Sequence, residues 1–169
     1  MKKEERNRST MHAVCLGEAD YQAGGRYKAS YEYEKAYEHF RKAASLGHAA
    51  AQMESGRMLH KGLGIDKDLG LAREWYEKAA ELGNADAQYE LARLCHDGCF
   101  DDADEGLAAE WFRKAAEQGH AGAQYELGMI LLKKGSDHAA DWLEKAANGG
   151  HADAQYELAK LYQEGEVLG

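Results

Sequence analysis

Apolar residues recur along this chain at helical spacing, in two kinds of segment that alternate. In the first kind, offsets 0, 4, 7 and 8 are apolar, as in Ala87, Leu91, Leu94 and Cys95. At about 100° per residue, these offsets fall on one face of a helix. The second kind repeats the pattern at Ala72, Trp75, Tyr76, Ala79 and Ala80. The pattern predicts amphipathic helices that are too short to be stable alone in water.

Both segments recur with a common period. The first motif reads AQMESGRML, AQYELARLC, AQYELGMIL and AQYELAKLY, and it begins at residues 51, 87, 123 and 154. The second, which reads AREWYEKAAELGNA in one copy, begins at residues 36, 72, 108 and 139. Both motifs recur after 36, 36 and 31 residues. Because even the shortened interval is shared, we predict stacked repeats of helix A, a loop, helix B and a tight turn.

Residues at the helix ends predict how the helices start and stop. Helix B ends at a glycine suited to a left-handed cap, namely Gly47, Gly83, Gly119 or Gly149. A histidine or an asparagine follows glycine in each of these turns, namely His48, Asn84, His120 and His151. Since asparagine replaces histidine there, we predict a turn and capping role rather than a catalytic one. Asp68 and Asp104 can cap the start of helix B.

Composition agrees with a helical repeat. Proline is absent, and alanine, glutamate, lysine and leucine are abundant, which favours helix over sheet. We predict an all-α superhelical solenoid of about four and a half helix-turn-helix repeats. Residues 1–11 are expected to be flexible, and residues 12–169 to form a single domain. Its units are expected at 12–48, 49–84, 85–120, 121–151 and 152–169, the last a lone helix A.

The motifs resemble a known family. The second unit carries a loop and helix B pattern that is similar to the Sel1-like repeat, a relative of the tetratricopeptide repeat: Gly62, Gly64, Ile65, Asp68, Ala72, Trp75, Tyr76, Lys78, Ala79, Ala80 and Gly83. The resemblance covers about residues 12–165. It departs at Phe100, where the family has a glycine, and in the first unit, whose aromatic-rich loop starts at Gly25. The resemblance implies a curved stack with helix A on the concave side, and a protein-binding role.

Offsets 2, 6 and 9 of helix A lie opposite the buried stripe and form the candidate binding surface. They comprise Met53, Arg57, His60, Tyr89, Arg93, His96, Tyr125, Met129, Leu132, Tyr156, Lys160 and Gln163. Aromatic and arginine residues are common anchors of protein interfaces, and arginine suits carboxylates. We predict a groove that reads a peptide or helical segment, with acidic groups near Arg57 and Arg93. The alternative is that the tyrosines only pack against neighbouring helices.

Charge and cysteine usage restrict the partners. The net charge of −9, with no basic cluster, argues against nucleic acid. The opening residues form neither a membrane span nor a signal-peptide core. The three cysteines, Cys15, Cys95 and Cys99, do not recur with the repeats, so a disulfide framework is not expected. We therefore expect a cytoplasmic, monomeric protein, unless a signal peptide has been removed.

Candidate chemistry is sparse, and we predict no catalytic residue, no metal and no cofactor. The C-H-x-x-C spacing at Cys95 fits no standard zinc site, and Cys95 stands at a core position. The acidic stretch at Asp101 lacks the ligands of a calcium loop. Two alternatives stay open beside the protein-binding scaffold. One is a hydrolase that uses His60 or His96, or a β-lactamase-like enzyme as in a cysteine-rich branch of the family; the other is a self-associating structural module.

Overall fold

The protein consists of helices throughout the residues that the structure, a computed structural model, describes: 2–98 and 105–164. Side chains are described for residues 15–98 and 105–163. The helices are α1 (Lys2–Ala29), α2 (Tyr33–Ser45), α3 (Ala49–Lys61), α4 (Leu69–Glu81), α5 (Ala85–His96), α6 (Glu105–Glu117), α7 (Ala121–Lys133), α8 (Ala139–Asn148) and α9 (Ala152–Glu164). Those ranges contain no strand, and the predicted all-α fold class is confirmed.

Contacts divide the chain into two compact units, residues 1–87 and residues 88–169. In the first unit, α1 packs against α2, α2 against α3, and α3 against α4. In the second unit, α6 packs against α7, α7 against α8, and α8 against α9, and α5 contacts α6 through the rings of Tyr89 and Phe112. Packing between sequence neighbours is typical of stacked repeats. The extent of a single domain over residues 12–169 stays a prediction.

A glycine in the middle of helix A lets a large side chain of helix B rest on its backbone. A Cβ at Gly24 would lie 2.7 Å from the Phe40 ring, and one at Gly56 would lie 2.8 Å from the Tyr76 ring. In the second unit, a Cβ at Gly128 would lie 2.9 Å from Leu143. These helix B side chains are fully buried: Phe40, Tyr76 and Leu143. In these three repeats, helix A and helix B therefore approach closely at this position, as interiors pack without spare room.

The tryptophans of helix B are less buried than expected. A tryptophan belongs to the apolar stripe of helix B, but Trp75, Trp111 and Trp142 are each only partly buried. The residue after each tryptophan is fully buried instead, namely Tyr76, Phe112 and Leu143. A lysine three residues on lies over each indole, at 4.5, 3.8 and 4.0 Å from the ring centroid. The indole therefore lies at the helix surface, where a cation can reach its face.

The turn from helix B to helix A contains one glycine in the left-handed conformation. Gly47, Gly83 and Gly119 have φ of 84°, 87° and 89°, as predicted. In the shortened unit, Gly150 has this conformation, with φ of 84°, and Gly149 has φ of −75°. The prediction of Gly149 was therefore wrong by one residue, because Gly150 is the residue that precedes the capping histidine.

A glutamine in helix A then ties the two helices together. The side-chain amides of Gln52, Gln124 and Gln155 donate to main-chain carbonyls of the preceding helix B, at 3.2, 3.1 and 3.1 Å. Gln52 and Gln124 are buried, so these bonds satisfy polar groups that water does not reach.

The first unit departs from the predicted loop. Helix α1 continues to Ala29, so most of the expected loop from Gly25 is helical and only residues 30–32 connect to α2. No proline interrupts it, and Lys28 is held by an ion pair with Glu54 of α3, at 2.5 Å. The helix also extends back to Lys2, because residues 2–11 contain no proline or glycine. Flexibility of residues 1–11 stays a prediction, which limited proteolysis would test.

Candidate functional site

The residue after each turn glycine caps the next helix A. The Nδ1 atoms of His48, His120 and His151 accept from backbone N–H groups three residues on, at 3.2, 3.0 and 3.4 Å. Asn84 does the same through Oδ1, at 2.9 Å. A side-chain acceptor at this place satisfies one of the free donors of the first turn. The predicted capping role is confirmed, and so is that of Asp68, which accepts from Leu71 at 2.9 Å.

Two of the predicted surface tyrosines pack on these caps. The Tyr89 ring stacks on His120 with centroids 4.4 Å apart, and Tyr125 stacks on His151 at 4.6 Å. Burial raises the pKa of both phenols above the ordinary value. Tyr156 has no such cover and is 70% exposed. Tyr89 and Tyr125 therefore have a structural role, as the alternative interpretation of the tyrosines predicted.

Met53 does not belong to an exposed surface. Its side chain is 2% exposed and lies in the core of the first unit, so its assignment to the binding surface was wrong. At this offset the tyrosines of α5 and α7 also pack over the next turn. A methionine there has no polar atom to keep in water, and burying it is favourable.

The basic residues of the candidate surface are paired with glutamates of their own helix. Arg57 binds Glu54 at 3.0 Å, and Glu54 also binds Lys28. In the second unit, Arg93 lies 3.9 Å from Glu90, and Lys160 lies 3.9 Å from Glu157. These side chains follow one rule, with a glutamate at offset 3 and a base at offset 6. Arg57 and Arg93 are therefore partly neutralised before any acidic partner arrives.

The helix α7 breaks this rule, and a cavity lies beside it. Offset 3 is Glu126, but offset 6 is Met129. The cavity has a volume of about 400 Å³, and its lining is mainly apolar. It is lined by His96, Glu105, Glu126, Met129, Ile130, Leu132, Lys133 and Lys134. The structure therefore brings three residues of the candidate binding surface, His96, Met129 and Leu132, to one cavity within the second unit.

Glu126 was not among the predicted site residues. Burial raises the pKa of its carboxyl above the ordinary value, and His96, Arg93 and His151 partly offset this effect. Among the residues described, it has no hydrogen-bond or ion-pair partner. Comparing offsets 3 and 6 across the repeats would have found it, because Glu126 is the glutamate without a base three residues on.

The two histidines considered for catalysis have ordinary neighbours. His60 meets the Tyr76 ring edge-on at 6.3 Å, in the first unit. His96 lies at the surface with Nδ1 3.4 Å from an oxygen of Asp97. Neither ring is hydrogen-bonded to a hydroxyl or thiol within the described ranges.

Some of the remaining candidates for metal binding lie outside the residues that the structure describes. Cys95 is buried, as predicted for a core position, whereas Cys15 is exposed. Cys99, Phe100 and the acidic stretch at Asp101, including the predicted cap Asp104, lie outside the described residues. In the part of the chain that is described, no three His, Cys, Asp or Glu residues come together as metal ligands.

No helix among those described is both long and apolar enough to cross a membrane.

Comparison with known proteins identifies the repeat. A family model described as Sel1 repeat matches residues 16–48, 49–84, 85–120, 121–151 and 152–169. A Sel1 repeat protein from Oxalobacter formigenes is 32% identical, with a TM-score of 0.80, over 86% of this chain and 60% of that one. A protective antigen of uropathogenic Escherichia coli with an SLR fold is 29% identical, with a TM-score of 0.82, over 88% of this chain and 34% of that one.

An immunity protein from Pseudomonas aeruginosa shares the fold at 23% identity, with a TM-score of 0.61, over 87% of this chain and 58% of that one. This chain thus spans between about a third and three fifths of the lengths of these structures. No curated protein matches it. Since the Sel1 repeat matches almost the whole described chain, the protein belongs to the Sel1 repeat family, whose members are generally protein-interaction modules.

Proposed function

We propose that this chain is a scaffold that binds a segment of a partner protein on the candidate binding surface of helix A. This outward side of the helix is formed by offsets 2, 6 and 9. The observation that carries the proposal is the cavity beside α7, because it is mainly apolar and contains His96 and Met129. Its volume of about 400 Å³ is within the range of pockets that hold small ligands or inserted side chains. The cavity can therefore anchor a partner segment.

Other predicted residues of helix A are proposed contacts within their own units. In the second unit these are Tyr89, Arg93, Tyr125, Tyr156 and Lys160. The first unit offers Arg57 and His60, and Met53 is excluded by its burial. Tyr156 is the most available of the aromatic rings, because it is 70% exposed. An amphipathic ring of this kind supplies contact area at little conformational cost.

The candidate binding surface is rigid because its residues lie on helices. The helices that carry these residues are fixed by the caps at His120 and His151 and by the hydrogen bond from the Gln124 side-chain amide. A surface that is ordered before binding loses less conformational entropy when a partner arrives. No residue of the chain is assigned a catalytic role in this proposal.

A photo-reactive amino acid at Met129 would test the proposal in cells that express the chain naturally. We expect a covalent adduct with a defined protein, mapped to one short segment. The control carries the same group at Glu110, an exposed residue of α6 that does not line the cavity. Equal adducts from both positions, or adducts from position 110 alone, would contradict binding at the cavity.

We also propose that the chain works as a monomer in the cytoplasm. Cys15 is an exposed free thiol, which suits a reducing compartment. Light scattering over a range of concentrations would test the monomer, since a self-associating module would increase in mass. Fractionation of the source cells would test the compartment.

A further inference from the structure

Glu126 differs from its counterparts in the other repeats, and the difference points to a ligand. Glu54, Glu90 and Glu157 occupy the same position and each has a basic residue three places on. The structure pairs each of them with that base, at 3.0, 3.9 and 3.9 Å. Met129 takes the place of the base beside Glu126. Glu126 is thus the carboxylate of this series that has no basic partner among the residues the structure describes.

In the free protein, the surroundings of Glu126 disfavour a charged carboxylate that has no basic partner. Glu126 is half-buried, and Met129, Ile130 and Leu132 line the same cavity. Burial raises the pKa of its carboxyl, which means that the ionised form is poorly solvated there. An ionised carboxylate in such a place gains from any cation that enters.

We propose, on the basis of the proposed function, that this cavity receives one Lys or Arg side chain of the partner segment, with Glu126 as its counter-charge. Such a side chain has an apolar stem and a charged tip, which match the apolar lining and the carboxylate. The net charge of −9 favours the approach of a basic segment over an acidic one.

The rim of the cavity limits how basic the segment is. Lys133 lies 4.0 Å from Glu105, and Lys134 is exposed just after the end of α7. Arg93 and His96 also lie close enough to act on Glu126. These groups disfavour a run of basic residues. The occupant is therefore a single Lys or Arg flanked by neutral or apolar residues.

Selection of phage-displayed random peptides against the intact chain would test this specificity. We expect the selected peptides to share one Lys or Arg, and its replacement by Met to weaken binding about tenfold or more, as for a close charge pair. The same replacement should change binding to Glu126→Gln by less than about twofold, because the counter-charge is absent. Glu90→Gln is the matched control and should retain the preference of the wild type.

The outcomes separate this inference from the proposed function. Peptides that bind in the cavity, as judged by loss of binding to Leu132→Glu, but carry acidic or only apolar residues would overturn the role of Glu126 and leave the proposed function standing. Peptides whose binding is unaffected by Leu132→Glu would overturn both. Circular dichroism of every variant must match the wild type, and Met129→Ala gives a second, milder probe of the cavity should Leu132→Glu fail to fold.

Discussion

Helices α3 and α7 occupy the same place in their repeats and share one inner framework. Each is capped by a histidine, His48 or His120, and each has a glutamine that donates to the preceding helix B. Each carries a glycine beneath a large side chain of the following helix, Gly56 or Gly128.

Their outward sides differ. On α3, Glu54 is bound by Lys28 and Arg57, so the charges there are mutually satisfied. On α7, Glu126 has no such partner among the described residues, and an apolar cavity lies beside it. The repeat constrains the inner side of both helices, whereas their outer sides differ and, under the proposed function, would determine which partner binds.

The largest expected effect comes from the shared inner framework. Gly56→Val and Gly128→Val would each place a side chain against the Tyr76 ring or Leu143, where no room exists. Each should lower the free energy of unfolding by ~3 kcal/mol, the upper range for overpacking. Urea denaturation followed by circular dichroism would measure it. Gly25→Ala in α1 is the control and should be neutral or stabilising, because nothing lies near its Cβ. A loss below ~1 kcal/mol at either valine variant would show that α3 and α7 do not share this close packing.

The caps should give the next largest effect. His120→Ala removes the acceptor for the Ala123 N–H and the ring that stacks on Tyr89. We expect a loss of ~1–2 kcal/mol in the free energy of unfolding. His120→Asn should recover most of the loss, because Asn84 caps the corresponding turn of another repeat. If asparagine destabilises as much as alanine, stacking rather than capping accounts for the histidine.

The outward side of α3 should respond less strongly. Glu54→Gln leaves Lys28 and Arg57 without their shared counter-charge. Since the Glu54 side chain is 15% exposed, we expect a loss of ~1 kcal/mol in the free energy of unfolding at neutral pH. Equilibrium unfolding at low and high salt would check it. A stabilising effect would show that the pairing on α3 is unfavourable and would remove the contrast with α7.

Glu126→Gln should give the smallest effect, and in the opposite direction. Burial raises the folded-state pKa of this carboxyl. The protonated form therefore contributes stability below the unfolded-state pKa, and that contribution is lost as the pH rises through the folded-state pKa. The variant should be more stable than the wild type by ~0.5 kcal/mol at pH 7, after allowance for solvent screening, and equal to it near pH ~4.

Thermal unfolding at several pH values would measure this difference. The charged groups that act on Glu126, namely Arg93, His96, Asp97 and His151, are the same in both proteins and cancel in the comparison. A variant less stable than the wild type at pH 7 would mean that the carboxylate is favourably held in the free protein, which would remove the physical basis for a cationic ligand.

Particular residues show how far the sequence predicted the structure. Local rules predict the turn glycines Gly47, Gly83 and Gly119, the histidine and asparagine caps and the core positions of α5, and the structure confirms them. The placement of Met53 failed because a helical offset says which side chains share a face, but not what covers that face. Glu126 was missed for a similar reason, since its importance lies in the absence of a neighbour.

The repeat, its helices and the chemistry of each turn can be predicted from the sequence, because they depend on hydrogen bonds and periodicities within a few residues. The tertiary structure decided which outward residues are available: Tyr89 and Tyr125 lie on histidine rings, Arg57 and Arg93 on glutamates, and Glu126 beside a cavity. Burial, desolvation and pairing of charges arise only between helices that are already packed. Those interactions set the free energy of each site and have no signature in a single segment.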